Sequence, residues 1–124
     1  MAKHGVTISW LDQPQAHDYP AAFSYLSLIF EPKVARAYVA RLRKASLTQF
    51  AAKDIFRASG LPLLGISNVR VKRDQGKIKA GEALSPLLLV RDKAQSKVIV
   101  ADGYHRLCAV YSYDETAMIS CKIV

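Results

Sequence analysis

Few cysteines and no long apolar stretch set the first limits on this chain. Cys108 and Cys121 sit in apolar surroundings, Leu107-Cys108-Ala109-Val110 and Ile119-Ser120-Cys121, where a free thiol behaves as a small buried hydrophobe. A disulfide would need an oxidising compartment that nothing in the chain suggests, and a metal site would need more ligands than His105 and two thiols. No metal site is therefore expected. No apolar run approaches the ~20 residues that cross a bilayer, and Met1-Ala2-Lys3-His4-Gly5 lacks the apolar stretch of a secretory leader. The expectation is a cytoplasmic protein with no membrane partner. Internal repeats, low-complexity segments, a helix-turn-helix signature and an aromatic stacking stripe are also missing. So is an acidic cluster suited to a two-metal nuclease: Asp92, Asp102, Asp114 and Glu115 read as turn, cap and surface residues.

What the chain does have is a core and a charge. Its 124 residues, 51% apolar and 23% charged, suffice for one domain that buries a core without disulfides or metal. Lys and Arg number 18 against 10 Asp and Glu, a net charge of +8. Such an excess favours polyanionic partners through a salt-dependent attraction, without saying which polyanion.

Residues 1–60 read as mainly helical. Val6 to Leu11 is expected as a short strand closed by the turn Asp12-Gln13-Pro14-Gln15. From Pro20 to Ser59 the pattern is helical, with breaks at Glu31-Pro32 and near Ser46. In the middle helix Pro32 suits the first turn, Val34, Tyr38, Leu42 and Ala45 form an apolar stripe, and Lys33, Arg36, Arg43 and Lys44 lie off it. A third helix, Leu47 to Ala58, is expected to bury Phe50, Ala51, Ile55 and Ala58 and to end on Gly60 in a left-handed cap.

After Gly60 short strands alternate with helices. Asn68 to Val71 reads as a weak strand, Asp74 to Ala80 as a helix capped by Asp74 and closed by Gly81, and Leu87 to Val90 as a buried strand. Lys97 to Ala101 follows through a hairpin over Asp92–Ser96, then a helix from His105 to Tyr113 and a last strand from Ser120 to Val124. The layout is α+β.

An apolar strand that runs into Asp102-Gly103 and then a helix presents free amides and the positive end of the helix dipole, which together make an anion site. Gly103 permits the turn and a close approach. His105 and Arg106 add donors, and Arg can hold a phosphate bidentately. Local spacing alone leaves a plainer alternative open: Asp102 a cap, His105 a surface residue, Arg106 a partner for a nearby carboxylate.

The run Gly103-Tyr104-His105-Arg106-Leu107-Cys108-Ala109 resembles the Gly-x-x-Arg-x-x-Ala signature of ParB N-terminal domains. It is also similar to the Gly-Cys-His-Arg turn of sulfiredoxins, whose closing strand resembles Ile119-Ser120-Cys121-Lys122-Ile123-Val124. Asp74-Gln75-Gly76-Lys77-Ile78 looks like a sulfiredoxin helix start, and Leu84 to Val90 like a ParB strand. Asn68 and Arg70 fall where ParB proteins carry an Asn-Pro-x-Gln-Pro-Arg box, without its prolines and glutamine.

The resemblance covers residues 61–124. It implies a ParB/sulfiredoxin-like small mixed sheet flanked by helices, with residues 1–60 as a helical N-terminal extension of the same domain. It also implies a nucleotide, ATP, ADP or CTP, with Mg²⁺, whose phosphates meet Gly103, Tyr104, His105, Arg106 and Lys77. Members of the superfamily include CTP-hydrolysing partition proteins, ATP-dependent sulfiredoxins and an ADP-dependent serine kinase. Tyr104 stands where sulfiredoxins have their cysteine and ParB proteins an acid. Sulfinic-acid reduction is thereby disfavoured, and Asp102 is left as the candidate catalytic group for phosphoryl transfer or hydrolysis.

Two other readings compete. One is a basic nucleic-acid-binding module using Lys33, Arg36, Arg41, Arg43, Lys44, Arg70, Lys72 and Arg73. The other is a non-catalytic interaction protein of toxin–antitoxin or phage-defence type, forming a homodimer or engaging a partner through the helical half. There Phe23, Tyr25, Leu26, Leu28, Ile29 and Phe30 make a helix apolar on more than one face, which is either central to the core or part of an interface.

Overall fold

A computed structural model describes residues 7–124. The Met1 to Gly5 segment and Val6, where the first strand was expected to begin, lie outside the described residues. Of that strand, Trp10 makes a single parallel bridge to Leu84. The elements run α1 (Asp18–Ile29), α2 (Pro32–Lys44), β1 (Thr48–Ala51), α3 (Ala52–Ser59), α4 (Val69–Lys79), β2 (Leu87–Asp92), β3 (Lys97–Asp102), α5 (Tyr104–Tyr113) and β4 (Met118–Ile123). No helix among the described residues is long and apolar enough to cross a membrane.

The four strands form one mixed sheet in the order β1-β4-β2-β3. β2 pairs antiparallel with β3 and parallel with β4, and β1 pairs antiparallel with β4 at the edge. Helices cover both faces. Leu88, Val90 and Ala101 pack with Tyr19, Ala22 and Leu26 of α1 and with Ala35, Val39 and Leu42 of α2. Leu87, Leu89, Val100, Ile119 and Cys121 pack with Ile55 of α3, Val71 and Ile78 of α4, and Leu107 and Val110 of α5. This two-sided cover is why Leu87-Leu88-Leu89-Val90 is an unbroken apolar run and not an alternating one.

Three local expectations are corrected. Thr48 to Ala51 belongs to no helix: it is β1, with Thr48 opposite Cys121 and Ala51 opposite Met118. Its pairing with β4 overrides a helix-favouring composition and leaves Phe50 exposed on the edge strand; Ala58 of α3 is exposed too, whereas Ile55 and the left-handed Gly60 cap are as expected. In α2 Leu42 is buried as expected, but the rest of the buried stripe is Ala35 and Val39, each one residue on from the expected Val34 and Tyr38, and Ala45 is only partly buried. Ala35 is wholly buried in the same core cluster as Ala22 and Leu26 of α1, whereas Val34 is exposed. Asn68 to Val71 is not a strand, and Asp74 caps nothing. Asn68 Oδ1 accepts from the amides of Arg70 and Val71 at 2.9 and 3.2 Å, so α4 starts there, and Val71, Asp74 and Ile78 make its buried face. Asn68→Ala is expected to cost about 1 kcal/mol of stability in urea denaturation; an unchanged midpoint would show that the cap does not hold the helix.

Two side chains have unusual settings. Leu28 is 85% exposed, and Tyr25 and Ile29 stand beside it about half exposed, so α1 buries only its Tyr19, Ala22 and Leu26 side. Lys122 of β4 is 2% exposed. Its Nζ donates to the Arg43 carbonyl at 3.0 Å, satisfying a carbonyl in the last turn of α2.

Candidate functional site

Gly103 is the hinge of the site. Strand β3 ends at Asp102, Gly103 takes φ 106° and ψ 14°, and α5 begins at Tyr104. The first intrahelical bond runs from the Leu107 amide to the Gly103 carbonyl, so the amides of residues 104–106 have no partner within the helix. Any side chain at 103 would meet the fully buried Leu87 and the Arg106 guanidinium.

This turn opens onto a cleft of about 670 Å³, a volume in the range of small-molecule sites. Its walls are the start of α1 (His17, Asp18, Ala21), one face of α4 (Arg70, Arg73, Asp74, Lys77), the 82–85 segment, and Asp102, Gly103, His105 and Arg106. The α4 residues share a face because they are spaced three, four and seven apart. That helix is held on α5 by a hydrogen bond from Gln75 Nε2 to Ser112 Oγ at 2.8 Å and another from the Tyr113 hydroxyl to the Gln75 carbonyl at 3.3 Å. Four cations, Arg70, Arg73, Lys77 and Arg106, face as many carboxylates, Asp18, Asp74, Glu82 and Asp102. The lining is therefore of mixed sign.

At its floor Arg106 joins two acids. Its Nη2 lies 3.0 Å from Asp102 Oδ2 and 3.7 Å from Asp18 Oδ2, while its Nε is buried with no hydrogen-bond partner. Asp18, 2% exposed, accepts a hydrogen bond from the Ser85 hydroxyl on Oδ2 and has His17 Nε2 3.3 Å from Oδ1. Burial raises the Asp102 carboxyl above its usual 3.8, the Asp18 charge pushes the same way, and Arg106 opposes both. His105 is shifted the other way. Burial and then the charge of Arg70 hold it below its usual 6.5, with Asp74 partly offsetting them, so near neutral pH it presents a neutral imidazole and not a cation.

Of the residues singled out from the sequence, Asp102, Gly103, His105, Arg106 and Lys77 meet in this cleft, together with Arg70 and Arg73. Tyr104 does not. Its hydroxyl donates to the Pro62 carbonyl, and burial raises its ionisation above the usual 10.0. Lys72 is exposed outside the cleft, and Lys33, Arg36, Arg41, Arg43 and Lys44 lie along α2, which packs on the other face of the sheet. Asp18 and Ser85 were missed, because no spacing links them to residue 102. An acid at a helix start reads as helix-dipole compensation, and only the packing of α1 against the sheet brings it to Arg106. Both cysteines are free and buried; burial pushes Cys121 up to about 11 and raises Cys108 as well, so both stay thiols. Among the described residues no group of three or more His, Cys, Asp or Glu is arranged to hold a metal ion. No family model matches the chain, and neither does any curated protein or solved structure.

Proposed function

We propose that this cleft binds the phosphates of a nucleotide and that the protein acts on that nucleotide by phosphoryl transfer or hydrolysis. The observation that carries the reading is the convergence of two donor sets: the open first turn of α5 at Gly103, and the row Arg70, Arg73 and Lys77 on α4. A helix start and a cationic row facing one cavity are complementary to a polyphosphate. The resemblance of Gly103-Tyr104-His105-Arg106 to the ParB/sulfiredoxin turn supports the same ligand class, ATP, ADP or CTP.

The carboxylates fit this reading as well. Mg²⁺ is usually held by one or two carboxylates together with the substrate's phosphates, so a nucleotide would bring its ion with it, and Asp102 and Asp74 are the acids in the cleft nearest in sequence to the phosphate donors. The ion would neutralise charge on the phosphates. The chain's own part is positioning and charge neutralisation, on which phosphoryl transfer mainly depends. Arg73 and Lys77 would bind phosphate oxygens, Arg106 would orient Asp102, and Asp102, with its affinity for protons raised by burial, is suited to take the proton of an attacking hydroxyl or water.

Calorimetric titration with ATP, ADP and CTP, each with Mg²⁺, tests the proposal. Arg73→Ala/Lys77→Ala removes two exposed cations without disturbing the buried Arg106 cluster. It is expected to weaken binding at least ~10-fold, about 1.4 kcal/mol. Failure of all three nucleotides to bind the wild-type protein at about 1 mM, or equal binding by the double variant, would overturn the reading.

A further inference from the structure

We propose that the exposed face of α2, with the groove between α1 and α2, is a separate binding surface for single-stranded nucleic acid. Charge carries the first step. Among the described residues the ion pairs are His17 with Asp18 and Arg106 with Asp18 and Asp102, all within the cleft. Among the described residues Lys33, Arg36, Arg41, Arg43 and Lys44 form no ion pair with a carboxylate, although all five are exposed within one helix. They lie away from the buried Ala35, Val39 and Leu42, along a rod of about 20 Å. In the cleft acids match the cations; in the α1/α2 groove beside Arg36 and Arg43 no acid does, and the nearest candidates, Glu31 at the start of α2 and Asp92 beside Arg41, lie outside it.

The groove supplies the second step. It has a volume of about 570 Å³ and is walled by Tyr19, Pro20 and Phe23 on one side and Arg36 and Arg43 on the other, with no acid in its lining. The Arg43 guanidinium carbon sits 4.4 Å from the centre of the Tyr19 ring, a stacking contact that fixes the donor fork before a ligand arrives. Beneath the same ring, 5.6 Å from its centre, is the buried Lys122 ammonium, whose hydrogen-bond acceptor is the neutral Arg43 carbonyl. Positive charge thus accumulates around an apolar floor.

Guanidinium forks match phosphate, and since the Tyr19 ring is already covered by Arg43 and Lys122, it is the partly exposed Phe23 in the groove wall that offers a face to a planar base, the combination by which unpaired strands are bound. A duplex keeps its bases stacked inside and would use the charges alone. An acidic protein would likewise use the charges alone.

Fluorescence anisotropy with a labelled oligothymidylate of about 12 nucleotides tests the proposal, read at about 50 and 200 mM salt. Arg36→Ala/Arg43→Ala/Lys44→Ala should weaken binding at least ~10-fold and flatten the salt dependence by about 2 in the log–log slope. Lys53→Ala/Lys72→Ala/Lys79→Ala, which removes equal charge across the sheet, should change affinity less than ~3-fold, and Lys77→Ala in the cleft should change it as little. Since Arg43 also packs on Tyr19, Arg36→Glu/Lys44→Glu serves as a second variant that leaves that contact intact, with the same loss expected. No anisotropy change at low salt, equal weakening by the two triple variants, or competition by polyglutamate as effective per charge as unlabelled oligonucleotide would each overturn it.

Discussion

Gly103→Ala is expected to destabilise the protein by about 2–5 kcal/mol, a large share of the ~5–15 kcal/mol that holds a domain of this size folded. Two independent causes add. The backbone there has φ 106°, a conformation costly to any residue with a β-carbon, and that carbon would lie 2.6 Å from Leu87 Cγ, 3.0 Å from Leu87 Cδ1 and 2.9 Å from Arg106 Nη2. Leu87 is fully buried in β2 and cannot swing aside. Urea denaturation measures the loss, and a double-mutant cycle with Leu87→Ala separates the causes. In the Leu87→Ala background the clash with Leu87 is gone while the backbone strain remains, so the effect of Gly103→Ala should shrink without vanishing. Because the β-carbon also displaces Arg106, nucleotide binding should fall with stability. A variant within about 0.5 kcal/mol of wild type would mean that the turn tolerates a side chain and that the glycine has no steric role.

The second large effect is expected from Arg106→Ala, about 3–5 kcal/mol at neutral pH, because it removes the cation shared by two largely buried carboxylates. Asp18 is 2% exposed and the Asp102 side chain 17%. Without the guanidinium their charges repel, and Asp102 loses the interaction that favours its ionised form. The pH dependence has a definite sign. Asp102 is already raised above 3.8 in the folded protein, and loss of the opposing Arg106 charge raises it further. A carboxyl with a raised folded value favours folding below its unfolded value and loses that contribution as pH rises through the folded value. The gap in stability between wild type and Arg106→Ala should therefore be widest near neutrality and narrow as pH falls toward about 4. Adding Asp102→Asn to Arg106→Ala should recover part of the loss at neutral pH and flatten this dependence. A deficit that neither low pH nor Asp102→Asn changes would show that Arg106 acts through packing and not through the acid pair.

Those two residues also mark what could be read along the chain. Gly103 and Arg106 stand at a junction whose signals are local: an apolar strand, an Asp-Gly turn and a helix, all within about a dozen residues. The hairpin over residues 92–96 and the helix ends at Gly60 and Gly81 were legible for the same reason, since a turn or a left-handed cap depends on the residue that occupies it. Thr48–Ala51 was not legible. Its helix-compatible composition competes with an antiparallel partner about seventy residues away, and no local pattern reports that pairing. The α4 start failed differently: Val69 and Val71 suggested a strand, and the Asn68 cap decided the matter for a helix.

The site shows the same division. The sequence by itself determined the basic charge, the α+β alternation and the glycine turn at residue 103, because each follows from residue type and short-range geometry. Only the tertiary structure decided that α4 begins early enough to put Arg70, Arg73 and Lys77 on one face, that this face and the Gly103 turn share one cleft, that Arg106 lies between Asp18 and Asp102, and that Tyr104 turns away to Pro62. The reason is separation along the chain. Asp18 and Arg106 are brought together by α1 and α5 packing against a shared sheet, and neither partner's local sequence carries information about the other until that sheet has formed.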